Sequence, residues 1–440
     1  AQDLLYTVAE ISPAATSASF PGAHTDVFVA ADEPARVVES LADSQIRVVT
    51  LTVTENGYSY SPSTGHLDLA DAGISADLLG GDPLTTIGQL ARGVQRRSSR
   101  SGAPLTILSC DNLSENGVRT ERLVREFLSA LPGTEGDEAL AYLDQAVSFP
   151  SSMVDRIVPA TTDRLRETMA VRSGAWDEIP VPAEPFTMWA IEDRFAAGRP
   201  AWEAGGAVFT DEVGRYEQMK VRLLNGTHSL IAYLGALRGV ALIAESIALP
   251  HIENAATVIL RREYEPFVQV PTGIDIRQYE SQLFARWGNG ELGHRTAQVG
   301  TDGSVKLGQR IPGPALMSLD RGEMPHMIAL TVAAYLSCIA PLPGFDPGPH
   351  ARAMVDPARE RLAGIANSAR GGHDIAARVI AESHLFGQEL AHRPAFIARV
   401  GELIDTIARH GVDEAIRDCV AASTDASPTD TSTHSREAHR

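Results

Sequence analysis

The spacing of apolar residues changes character once along this chain. In the first third, residues 45–54 (QIRVVTLTVT) form a run rich in β-branched residues that stops at Asn56-Gly57. Residues 104–110 (PLTILSC) form a second apolar run, stopped by Asp111-Asn112 and followed by Asn116-Gly117. Short apolar runs closed by turn residues predict strands. Between and after them, residues 85–97 and 119–131 carry apolar positions at helical spacing, with Leu123, Val124, Phe127, Leu128 and Leu131 on one side of the second. The order strand, helix, strand, helix predicts an α/β layer around a parallel sheet. Ligands of such sheets lie beyond the carboxyl ends of the strands, where Thr54-Glu55-Asn56 and residues 109–116 fall.

From about residue 211 helical spacing takes over. Helices are predicted over roughly 212–247, 252–264, 275–287, 325–340, 353–367, 373–383 and 394–409, with strand signals nearly absent. The pattern therefore predicts an α/β domain over 1–210 and a mostly helical domain over 211–420. The last stretch, 421–440 (AASTDASPTDTSTHSREAHR), has almost nothing to bury and is expected to be a disordered tail.

Composition narrows the function. Lys and Arg total 38 against 56 Asp and Glu, a formal charge of −18, the opposite of a nucleic-acid footprint. The most apolar run, 327–341, ends at a proline and is shorter than the roughly 20 residues a membrane span needs, so a buried helix is expected. Cys110, Cys338 and Cys419 form no Cys-x-x-Cys, which leaves no disulfide framework and no structural zinc pattern. The opening residues lack a basic stretch followed by an apolar one, so no secretory signal is read and a cytoplasmic location is expected.

The sharpest chemical signal is residues 220–228, KVRLLNGTH. On an α-helix at about 100° per residue, His228 lies about 80° and Asn225 about 140° from Lys220. A lysine among apolar neighbours can lose its proton through desolvation and serve as a base. An asparagine amide can donate to a developing oxyanion, and a histidine can orient a hydroxyl. The set suits removal of a proton from an alcohol while hydride leaves its carbon. Taken alone, the spacing is more often that of a lysine reaching to solvent and two locally bonded polar residues.

Other blocks bear on that choice. Residues 51–58 (LTVTENGY), 109–117 (SCDNLSENG), 149–157 (FPSSMVDRI), 189–200 (WAIEDRFAAGRP), His294-Arg295-Thr296 and residues 302–306 (DGSVK) stand in order around Lys-x4-Asn-x2-His. Together they resemble the polyol-specific long-chain dehydrogenases, the family of mannitol 2-dehydrogenase and fructuronate reductase. The resemblance spans roughly residues 1–420. It implies a Rossmann-like domain followed by a helical one, and metal-independent hydride transfer between a polyol and its keto sugar with NAD or NADP, NAD favoured. It favours a monomer, although the sequence itself leaves the oligomeric state open. By position, it implies Lys220 as general base and acid, Asn225 and Asn116 as the oxyanion hole, His228 as substrate ligand and Asp155 as a modulator of the lysine. Arg295 and Lys306 would contact substrate, and Thr54, Glu55 and Asn112 the cofactor. A hexuronate would need a further cation, for which Arg295, Lys306 and Arg310 are candidates.

The chain departs from the family pattern in small ways at Asn56, Ser152 and Gly308, and in one large way at its start. No glycine-rich Gly-x-Gly-x-x-Gly turn follows a strand, and residues 1–10 resemble a point inside the family's first domain. The first βαβ unit is therefore expected to be missing. The alternative reading is a truncated or non-catalytic descendant that binds sugar but not cofactor.

Overall fold

A computed structural model describes residues 2–61, 64–382 and 385–425. The chain forms two compact units: Ala1–Gln218 with Val270–Ile274, and Met219–Gln269 with Asp275–Arg440. The seam thus falls after residue 218, eight residues later than the change of pattern suggests. Residues 270–274 return to the first unit, which no periodicity announces.

The described strands of the first unit are β1 (Val8–Ile11), β2 (Thr16–Ser19), β3 (Val48–Leu51), β4 (Leu105–Ser109), β5 (Val147–Ser148), β6 (Ser152–Asp155), β7 (Val181–Ala183), β8 (Met188–Ile191) and β9 (Ala207–Phe209). Its helices are α1 (Pro34–Ala42), α2 (Ala72–Leu78), α3 (Thr86–Arg100), α4 (Asn116–Ser129), α5 (Glu135–Ala146) and α6 (Asp163–Ser173). Strands β3, β4 and β5 pair in parallel, with Leu51 opposite Ser109. All five residues of β4 are buried, as expected of a central parallel strand covered on both faces. Ile87, Leu90 and Val94 of α3 and Leu123, Val124 and Phe127 of α4 join its Leu105 and Ile107 in one core.

The parallel sheet is only part of the β structure. β6 runs antiparallel to β8, which is parallel to β9, and β1 pairs antiparallel with β2 and parallel with β7. These strands are three or four residues long, too short for a period to emerge from the sequence.

One side chain knits the entry to the sheet. Arg97, fully buried in the last turn of α3, donates from Nε to the Ala103 carbonyl, from Nη1 to those of Leu41 and Asp43, and from Nη2 to those of Ile46 and Pro104. A guanidinium has five N–H donors, and here each meets a backbone carbonyl at the end of α1 or just before β3 or β4.

Helix α7 (Val213–Met219) leads into the second unit, which contains no strand among the described residues. Its helices are α8 (Thr227–Leu237), α9 (Ile243–Ile247), α10 (Pro250–Val258), α11 (Ile276–Trp287), α12 (Thr296–Gly300), α13 (Gly303–Arg310), α14 (Pro312–Asp320), α15 (His326–Ile339), α16 (Gly348–Arg352), α17 (Arg359–Ser368), α18 (Gly372–Ala376), α19 (Gln388–Ala391), α20 (Pro394–His410) and α21 (Val412–Asp425). The helix expected over 212–247 is broken by Gly239, which adopts φ +80°, a conformation glycine takes without a Cβ clash. The helix expected over 353–367 begins only at Arg359, past Pro357. Residues 421–425, expected in the tail, complete α21, while 426–440 lie outside the described residues. α15 is buried from Met327 to Ile339, and among the described residues no helix is long and apolar enough to cross a membrane.

Three stretches of the second unit are wound as π-helix: Lys220–Gly226, Ile259–Tyr264 and Ala377–Glu382. The first holds two of the three residues of the Lys-Asn-His pattern.

Candidate active site

In the first unit the predicted residues gather at the carboxyl ends of β3 and β4. Thr54 is exposed and accepts the Gly57 N–H at 2.8 Å through its carbonyl, opening the short 3-10 turn Glu55–Tyr58. The Glu55 side chain lies outside the described residues. Asn112 is exposed in the loop after β4. The loop is built by a residue that sequence reading treated only as a turn former. Asp111 is buried and accepts from the Val53 N–H at 2.6 Å, from Ser109 Oγ at 2.7 Å and from the Tyr58 hydroxyl. This carboxylate ties the exits of β3 and β4 together, and with burial it pushes the Tyr58 phenol above its usual range.

The Asn116 side chain is engaged with backbone on both sides of the loop. Its amide donates to the carbonyls of Asp111 at 3.1 Å and Ser152 at 2.8 Å, and its Oδ1 accepts the Ser152 N–H at 3.0 Å. Two N–H bonds are all a side-chain amide can donate without sharing, so this arrangement offers none to a substrate oxygen. Asn116 stitches the start of β6 to the loop after β4. Asp155 ends β6, buried opposite Met188. Its neighbour Arg156 pairs with Glu10 at 2.6 Å instead.

Helix α4 starts directly beyond β4 without a side-chain cap. Gly117, its second residue, lies so close to the Phe149 and Pro150 backbone that a Cβ would meet the Phe149 carbonyl oxygen at 2.6 Å. Uncapped helix N–H groups at the carboxyl end of a parallel sheet fit the polar groups of a nucleotide. The sequence Gly288-Asn289-Gly290-Glu291-Leu292-Gly293 has dinucleotide-turn spacing but follows helix α11, so it lacks the strand-to-helix setting that gives such a turn its use.

In the second unit the chemistry converges on His228, buried in α8. Its Nε2 has no hydrogen-bond partner in the protein. Its ring lies 5.1 Å from that of His294, edge to face, and 6.4 Å from that of Trp287. Burial holds the His228 pKa well below 6.5, helped by His294, Arg310, Arg286 and Lys306. Burial, then Lys306, brings His294 down to about 4. Both imidazoles are therefore neutral at physiological pH. Lys306 and Arg310 sit four residues apart on α13, and so on one face. Lys306 Nζ donates to the Thr301 carbonyl at 2.8 Å, and Arg310 Nη1 donates to the Asn225 carbonyl at 3.2 Å and to Ser229 Oγ at 2.7 Å. Lys220 is buried and Asn225 half-buried. Arg295 is exposed before α12, its backbone bridged to Leu242.

The π turn changes the relation of these groups. In an i→i+5 turn each residue advances by less than the roughly 100° of an α-helix. Five steps then bring Asn225 closer to the direction of Lys220 than the 140° an α-helix gives. Trp287 and Arg286 carried no signal in the sequence, and His294 stood there only as part of the block His294-Arg295-Thr296, with no role assigned to it.

The two neutral imidazoles make an acid-side prediction. Groups with depressed histidine pKa values stabilise the fold above about 6.5, and that contribution is lost as pH falls towards the folded value. For His294 the loss approaches ~3 kcal/mol at pH 4. Melting temperatures of wild type and His294→Gln between pH 7.5 and 4.5 should therefore converge on the acid side; parallel curves would refute the assignment.

Comparison with known proteins agrees with this architecture. The family model of the mannitol dehydrogenase Rossmann domain matches residues 1–204, and that of the mannitol dehydrogenase C-terminal domain matches 212–408. The D-mannonate oxidoreductase of Escherichia coli (strain K12) is 34% identical over 427 residues, 96% of this chain and 85% of that protein. A mannitol 2-dehydrogenase of Cereibacter sphaeroides is 32% identical over 423 residues, 96% of this chain and 86% of that one. Among solved structures, the Pseudomonas fluorescens mannitol 2-dehydrogenase ternary complex with NAD and D-mannitol superposes with a TM-score of 0.84 at 30% identity, covering 96% of this chain and 84% of its own. A Rossmann-type domain followed by this helical unit defines an oxidoreductase acting on a CH–OH group. The chain belongs to the mannitol dehydrogenase family.

Proposed function

We propose that this chain interconverts a polyol and its 2- or 5-keto sugar by NAD-linked hydride transfer, without a metal ion. The observation that carries the reading is His228: a buried, neutral imidazole with a partnerless Nε2, in the first turn of α8 directly after the stretch that bears Lys220 and Asn225. A buried polar atom without a partner is costly unless a ligand completes it. A substrate hydroxyl would do so.

In the oxidation direction Lys220 takes the hydroxyl proton, Asn225 Nδ2 donates to the oxygen as negative charge builds on it, and His228 Nε2 holds the same or the adjacent hydroxyl in line. In reduction Lys220 returns the proton to the carbonyl oxygen. Asp155 modulates the lysine's proton traffic, and Arg295 and Lys306 bind the distal substrate. Asn116 is left out of the oxyanion hole because its amide hydrogens already serve Asp111 and Ser152. Thr54, Glu55, Asn112 and the first N–H groups of α4 would hold the nicotinamide cofactor, which supplies the hydride acceptor. Oxyanion stabilisation is assigned to Asn225, the one side-chain amide between Lys220 and His228 in sequence.

The test is a fluorescence titration with NADH, followed by NADH consumption with fructose and fructuronate in the presence of a chelator. Saturable binding and chelator-resistant turnover are expected. A folded sample that fails to bind at millimolar NADH would replace this reading with a sugar-binding, non-catalytic one. Arg295→Ala separates the substrates: a loss confined to the acidic sugar assigns Arg295 to a carboxylate, and equal losses for both sugars rule that out.

A further inference from the structure

We propose that Tyr264 is a positioning residue for the reaction, and that its ring, seated on Gly226, holds the π turn that presents Lys220 and Asn225. The proposal rests on the reading of Lys220 and Asn225 given above.

Gly226 closes the π stretch with ordinary helical angles, φ −63° and ψ −53°. Its backbone therefore does not require glycine, and glycine within a helix is unfavourable relative to alanine. Space is what requires it. A Cβ on Gly226 would lie 2.6 Å from Cζ and 2.7 Å from the hydroxyl oxygen of Tyr264. Such contact leaves no room for any other residue, and a ring tip has little freedom to withdraw when its side chain is fully buried.

Tyr264 is itself held. It ends the second π stretch, Ile259–Tyr264. Its predecessor Glu263 is buried, and its carboxyl oxygens accept the N–H groups of Met327 and Ile328, each at 2.8 Å, at the start of α15. The π turn is gripped at two further points: Arg222 donates to the Phe267 carbonyl, and Arg310 to that of Asn225. Two π turns from neighbouring helices thus meet through one glycine and one ring. π turns are rare and recur at functional sites, and an irregular turn persists only where its surroundings over-determine it. Removing the ring frees residues 220–226 to relax towards α-helical winding, which swings Asn225 away from Lys220. The Tyr264 hydroxyl has no partner in the protein, so the ring and not the hydroxyl carries the role.

Four variants, Tyr264→Phe, Tyr264→Leu, Gly226→Ala and the double Gly226→Ala/Tyr264→Leu, test this beside Lys220→Ala, each first checked for folding by circular dichroism and melting. Tyr264→Phe is expected to keep kcat within a few-fold. Tyr264→Leu is expected to lose up to ~10²-fold in kcat, as misplacement of reacting groups does, with NADH affinity unchanged and the alkaline rise of the oxidation rate displaced. Gly226→Ala should lose a comparable amount, and the double variant no more than the worse single one, because the two sites act as one. A folded Tyr264→Leu with wild-type kcat and pH profile would overturn the proposal, as would losses that multiply in the double variant. Should Tyr264→Leu fail to fold, Gly226→Ala decides by the same readouts. If Lys220→Ala keeps its rate, the assignment of the base fails and the positioning role falls with it; if only Tyr264→Leu keeps its rate, the positioning role fails alone.

Discussion

Lys220→Ala is expected to lower kcat for polyol oxidation by ~10²–10⁴-fold, the usual contribution of a positioned general base. NADH binding should be unchanged, since the residues assigned to the cofactor lie in the first unit. In wild type the oxidation rate should rise with pH, as the amine must be neutral to accept the proton. Lys220→Ala should lose that dependence along with the rate. Lys220→Arg should not rescue it, because a guanidinium stays protonated across the accessible range. Initial rates between pH 6 and 10 measure all three. A Lys220→Ala enzyme within a few-fold of wild type at every pH would move the base elsewhere.

The second large effect concerns stability. Arg97→Met is expected to destabilise the first unit by on the order of 4 kcal/mol, because it strips donors from five backbone carbonyls, that of the buried Leu41 among them, and empties the fully buried site of the guanidinium. For a unit of this size each kcal/mol shifts the melting temperature by about 2–4 °C. Tryptophan fluorescence reports it selectively, since Trp176, Trp189 and Trp202 belong to the first unit and only Trp287 to the second. Arg97→Lys should recover little, as one ammonium cannot serve five diverging carbonyls. A melting temperature within two degrees of wild type would show that water replaces the guanidinium freely.

The parts of the fold legible in the sequence are those whose side chains report their surroundings over several residues. β3 and β4 stood out because β-branched and apolar residues are concentrated there, α3, α4, α11 and α20 because one face of each is apolar, and α15 because it is apolar all round. β7 contains Pro182 and only three residues, so no alternation develops. α12 to α14 are short and divided by glycine and proline. The π turn was hidden for another reason: a shift of hydrogen-bond partner by one residue leaves the apolar pattern almost intact. Its one trace was Gly226, placed in mid-helix with no backbone need for it. In the site, the residue types of Lys220, Asn225 and His228 were readable, but the backbone partners of the Asn116 amide were not. Whether an amide faces a ligand or its own backbone depends on Ser152, distant in sequence and adjacent in space.

The short return of residues 270–274 bears on how this protein can be taken apart. Thr272 donates its N–H to Glu212 at 2.9 Å, and Ile274 packs against the cluster of Met153, Ala190, Val213 and Tyr216. The first unit is therefore assembled from two pieces of chain, the second arriving only after some fifty residues of the other unit have been made. A cut or gene fusion at 218/219 would not yield two complete halves: the front piece would expose the seat of Ile274, and the rear piece would carry an apolar strap with no place to lie. Exchange of the helical unit between relatives, in the laboratory or in evolution, must keep Val270–Ile274 matched to the front half that receives it.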